Sequence, residues 1–81
     1  MTAPFDPIAE IQQISPRALV VCYGIAPGQP LIPAHVYDAA TLFRDGSQQT
    51  GAPCPRIAKR LHNLAARWAV LHRDVKIGGA A

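Results

Sequence analysis

Apolar residues recur at Ile57, Leu61, Leu64, Trp68, Leu71 and Val75, in steps of four, three, four, three and four. At about 100° per residue, side chains spaced this way share one narrow stripe of an α-helix. The spacing predicts a helix from Pro55 to Lys76, with a length of about 30 Å at ~1.5 Å per residue. A second column, Arg56, Arg60, Asn63 and Arg67, repeats beside the stripe at the same period. A helix built this way can hold a hydrophobic neighbour on one side and an anionic one on the other.

The rest of the chain predicts three shorter helices. Asp6-Pro7 is a start signal: the carboxylate can accept from unsatisfied amides, and proline fits the first helical position. Ile8, Ile11 and Ile14 follow on one side, and Ser15-Pro16 ends this helix near Ile14 while offering a second start. Residues 17–23 (Arg-Ala-Leu-Val-Val-Cys-Tyr) fit two readings. The Ser-Pro start and Gly24 as a stop suggest two helical turns, whereas the β-branched and aromatic run suggests a buried strand. No second segment offers itself as a partner strand, which favours helix. In either form the segment is apolar all round and is expected in the core. Gly24–Pro33 is a stiff, proline-rich loop. Pro33 then starts a helix to about Arg44, with Ile32, Val36, Ala39, Ala40 and Phe43 facing inward and Asp45-Gly46 closing it. Gly46–Pro53 is polar, has no apolar anchor and is expected to be the most mobile internal segment. The ends, 1–5 and 77–81, are expected to be flexible. The fold class is therefore all-α: three short helices and one long amphipathic C-terminal helix in a single small domain spanning 1–81.

Composition sharpens this picture in two respects. Hydrophobic residues make up 49% of the 81 and charged residues only 16%. The first figure suits a folded chain, and the second leaves apolar surface for a partner. The formal charge of +3 is unevenly placed. Residues 1–54 carry Asp6, Glu10, Asp38 and Asp45 against Arg17 and Arg44, a net −2. Residues 55–81 carry Arg56, Lys59, Arg60, Arg67, Arg73 and Lys76 against Asp74, a net +5. Such asymmetry points to an anionic partner for the last helix; a plain solvated face is the competing reading. No stretch approaches the ~18 apolar residues of a membrane span. The opening Met-Thr-Ala-Pro lacks the basic and apolar regions of a secretory signal. Cytoplasmic residence with Cys22 and Cys54 as free thiols is the expectation.

Candidate chemistry concentrates on the last helix. Arginine binds phosphate or carboxylate through paired hydrogen bonds, so Arg56, Arg60 and Arg67, with Lys59 and Arg73 on another face, can follow a nucleic-acid backbone. Asn63 in the same column has the amide that can read adenine. The apolar stripe also fits a heptad seam, so a homodimer through Ile57, Leu61, Leu64, Trp68 and Leu71 competes with packing on the chain's own short helices. Trp68 is either the core anchor or an interface hot spot. Cys22, His35, Cys54, His62 and His72 include no Cys-x-x-Cys and no histidine pair at three to five residues, so no metal site is expected. Cys54, just before Pro55, stands at the cap of the long helix, where the amide dipoles favour a thiolate. Gly24-x3-Gly28 lacks the Lys-Ser/Thr of a phosphate loop, and, with Asp6 at a cap position, no two of the five carboxylates stand at i, i+3 or i+4 within a helix. No enzyme and no cofactor are expected. The turn at Tyr23–Pro27 has the glycine of a helix-turn-helix, but such a turn takes three to four residues. Gly24–Pro33 is too long for it, and no family is assigned. The expected function is non-enzymatic, regulatory binding of an anionic partner. Nucleic acid comes first, held by Arg56, Lys59, Arg60, Asn63, Arg67 and Arg73. The alternative is a protein-interaction module or small inhibitor docking on an acidic or nucleic-acid-binding surface of a larger complex.

Overall fold

Four prolines each open a helix. A computed structural model describes the backbone of residues 5–80 and the side chains of residues 5–71. Within it lie α1 (Pro7–Ile14), α2 (Pro16–Ile25), α3 (Pro33–Asp45) and α4 (Pro55–Ala80). Proline at the first helical position has φ already set and has no N–H to leave unpaired. It also holds the preceding residue extended, as seen at Asp6, Ser15 and Ile32. The Asp6 carboxylate accepts from the Ala9 amide at 3.3 Å and caps α1. At α3 the cap works in the other direction, since His35 Nδ1 accepts from the Ile32 amide at 3.3 Å.

Residues 17–23 are helical, and no strand occurs among the described residues beyond an isolated bridge between Ser47 and Gly51. Gly24 does not stop α2, which continues to Ile25. The stop is Pro27, which forces Ala26 out of the helical region to φ −135°, ψ 78°. α4 likewise runs past the expected end at Lys76, to Ala80.

Each helix packs on two neighbours, in the order α1–α2–α3–α4 and back to α1, and the α3–α4 contact is the most extensive. Pro33 and Ala34 lie opposite Ala65 and Ala69, while Arg44 lies opposite Pro55. α3 and α4 are therefore antiparallel. The core takes Ile11 from α1; Ala18, Val21 and Cys22 from α2; Val36, Ala39, Ala40 and Phe43 from α3; and Ala58, Leu61, Leu64 and Ala65 from α4. Burying a side chain such as Leu61, Ile11 or Phe43 stabilises by about 1.5–3 kcal/mol.

The apolar pattern overstates what is covered. Ile8, Val20, Tyr23, Ile32 and Leu71 are all exposed. Residues 17–23 are thus not apolar core all round: a two-turn helix packed on two neighbours covers one side only. Ile32 misses the core because it is the extended residue before Pro33, outside the helical period. Phe5 departs from the flexible N-terminal segment expected over 1–5, being half-buried against the core.

The 46–53 segment also differs from expectation. Ser47 Oγ accepts from the Thr50 amide at 3.1 Å and lies 2.9 Å from Thr50 Oγ1. Thr50 Oγ1 donates to the Leu42 carbonyl at 2.9 Å, and Thr50 itself is buried. Ser47 and Gly51 exchange backbone hydrogen bonds of 3.1 and 2.7 Å. Polar residues without an apolar anchor have here built a tight hydrogen-bonded turn. Gly46 is required at its start: φ is +84°, and a Cβ would come within 3.0 Å of the Gly51 carbonyl and of Pro53. The turn returns the chain so that the Cys54 amide donates to the Phe43 carbonyl at 2.7 Å. The Cys54 carbonyl then accepts from Ala58 at 3.1 Å, the first hydrogen bond of α4.

Candidate functional site

The outer face of α4 follows from which face is buried. Ile57, Leu61, Leu64 and Trp68 pack inward with Ala58 and Ala65. The column Arg56, Arg60, Asn63 and Arg67 is turned roughly 120° around the helix from them. All four, and Lys59, are exposed. From Arg56 to Arg67 the column rises about 16 Å along the axis. No carboxylate occurs in the sequence from Pro55 to Arg73. Among the described residues the one ion pair is Arg44–Asp45 on α3, with Nε to Oδ1 at 3.0 Å. That fork-like contact raises the Arg44 pKa and lowers that of Asp45, chiefly by the hydrogen bond between them. Arg56, Lys59, Arg60 and Arg67 have no such partner among the described residues.

One of these cations is held in place by a neighbour. The Arg67 guanidinium lies over the Phe5 ring, with Cζ 5.2 Å from the centroid. A stacked guanidinium keeps its in-plane N–H donors free for phosphate or carboxylate. Lys59 lies toward α3, beside His62, whose ring meets Tyr37 edge-on at 4.4 Å and 61°. The side chain of Arg73 lies outside the described residues. Asn63 stands in the column, exposed, with no described hydrogen bond of its own.

The remaining candidates separate. Trp68 is half-buried and packs against the core. The homodimer seam is not open over its first two heptads, because Leu61 and Leu64 are buried within the monomer. Leu71 is exposed, and the Val75 side chain lies outside the described residues. Cys22 is buried in the core and Cys54 is half-buried at the start of α4, both as free thiols. Burial pushes the Cys22 thiol up to about 11, which opposes thiolate chemistry. No group of three or more metal-ligating side chains occurs among the described residues, and no helix of the described residues is long and apolar enough to cross a membrane.

Sequence reasoning missed the α3 side of this region. Tyr37, Thr41 and Arg44 stand at i, i+4 and i+7 and share a face. That face opens onto Lys59 and His62 of α4. The period was readable, but the pairing of the two helices was not.

The fold and this surface define a small all-α protein of four helices with one uncompensated cationic face. Compared with protein-family models, with curated proteins and with solved structures, the chain matches none.

Proposed function

We propose that the protein is a non-enzymatic binding protein that takes an anionic partner, nucleic acid before others, on the outer face of α4. One observation carries this reading: Arg56, Lys59, Arg60 and Arg67 are exposed together, with no carboxylate among the described residues to neutralise them. Arg56, Arg60 and Arg67 along about 16 Å of helix, with Lys59 on the adjoining face, offer a set of phosphate contacts. Such contacts position a backbone without reading its sequence. Asn63, in the middle of the row, is the side chain able to add base readout.

A protein partner is the second reading, favoured by a different feature. Beyond Arg67, Val70 and Leu71 are 53% and 41% exposed. A cationic row followed by exposed apolar residues also suits an acidic protein surface with a hydrophobic pocket. On this reading Arg60 and Arg67 make the polar contacts and Leu71, rather than Trp68, enters the partner.

Salt separates the two. For four phosphate contacts, log K against log[salt] should fall with a slope of about −3 to −4. Fluorescence anisotropy on a labelled oligonucleotide would measure it. Arg60→Ala/Arg67→Ala should weaken binding and make the slope shallower by about 2. Absence of binding to any oligonucleotide at low salt would end the nucleic-acid reading and leave the protein partner.

A further inference from the structure

A hollow of about 340 Å³ opens between α3 and α4, on the Lys59 side of α4. Ala40 and Ala58 form its floor, and Thr41, Arg44, Lys59 and His62 stand around it. Its floor is apolar because two alanines face each other where the helices approach. Tyr37 closes one end and also borders a second, alanine-lined hollow further along the same seam. Tyr37 therefore borders both hollows and is 49% exposed. The edge-on contact with His62 fixes that ring without covering both of its faces. Around the rim, Lys59 has no anionic partner among the described residues, and Arg44 spends one edge of its guanidinium on Asp45. Asp38, the other carboxylate nearby, faces the second hollow rather than this one.

A half-exposed aromatic ring held by His62, a small apolar floor and a lysine at the rim suit a planar ring attached to an anion. From this we infer that the α3–α4 hollow is a nucleotide subsite for single-stranded nucleic acid. One unpaired base stacks on Tyr37, and its phosphate meets Lys59 with help from the free edge of Arg44. The neighbouring phosphates continue along Arg56, Arg60 and Arg67. The volume sits at the small end of ligand sites, about 300–1,000 Å³, with room for one ring system. A duplex cannot use the hollow, because its bases are paired and stacked inward. This inference rests on the nucleic-acid reading and narrows it to single strands.

The test measures anisotropy at one low salt concentration with a labelled dT12 strand, a duplex of equal length and unlabelled thymidine monophosphate as competitor. The proteins are the wild type, Tyr37→Ala, Tyr37→Phe and Arg60→Ala/Arg67→Ala, each checked for helicity and melting temperature. The strand should bind more tightly than the duplex. Tyr37→Ala should weaken the strand about 5- to 150-fold, the range of one base–aromatic stack, and leave duplex affinity unchanged. Tyr37→Phe, which keeps the ring, should bind as the wild type does. A strand affinity indifferent to Tyr37→Ala but sensitive to Arg60→Ala/Arg67→Ala would overturn the subsite and spare the wider reading. So would a Tyr37→Ala loss equal for strand and duplex, or a monophosphate that binds as tightly as the strand. No binding of either nucleic acid would overturn both.

Discussion

At the scale of single residues, Cys22 shows how burial decides chemistry. Its thiol is enclosed in the core, and its pKa is pushed from 9.0 to about 11. Below pH 9 the thiol is neutral in both the folded and the unfolded chain, and stability does not depend on it. Between 9.0 and 11 the unfolded chain gives up this proton while the folded chain keeps it. The unfolded state then binds fewer protons, so stability falls as pH rises, by on the order of 2 kcal/mol across the window. Urea unfolding at pH 8 and pH 10.5 should show this decline for the wild type and a smaller one for Cys22→Ala. The tyrosines and lysines are common to both proteins and cancel in the difference; equal declines would refute the assignment. Sequence alone put Cys22 in an apolar segment and Cys54 at a helix cap, and the enclosure of each thiol is decided by packing. One is enclosed by α2 and its neighbours, and the other stands half-open where α4 begins.

Helix boundaries were readable wherever a proline set them. Pro7, Pro16, Pro33 and Pro55 each fix one φ and push the preceding residue extended, which is a local steric effect needing no tertiary partner. The reading went wrong where glycine was given the same authority. Gly24 lies inside α2, with nothing within 4 Å of where a Cβ would stand. It therefore costs helix stability without serving a turn. Gly24→Ala should stabilise the protein by about 0.5–1 kcal/mol, and thermal unfolding should rise by roughly 2–8 °C. A fall in melting temperature would show that α2 needs the glycine after all. Gly46 is the contrasting case, at φ +84° with Pro53 and the Gly51 carbonyl against it. The two glycines look alike in the chain; only the path of the turn after α3 separates them.

For the whole molecule, the apolar stripe of α4 joins one shared core, and it is used unevenly. Leu61, fully buried, should cost about 2–5 kcal/mol when truncated to alanine. Leu71→Ala, at an exposed position of the same stripe, should cost under about 0.5 kcal/mol. Chemical denaturation of both variants tests this; similar large costs would mean that a second copy or another segment covers Leu71. The sequence carried the helix count, the four starts, the all-α class and the cationic column. These follow from backbone sterics and from the 3.6-residue period, which act over a few residues at a time. It did not carry which apolar residues stay uncovered, as Ile8, Val20, Tyr23 and Ile32 do, because burial depends on which neighbour occupies the space outside each face. Nor did it carry the approach of Tyr37 to His62, 25 residues apart in the chain. That pairing arises when α3 and α4 settle antiparallel across their facing alanines, a choice made by packing between distant segments rather than by any pattern within one.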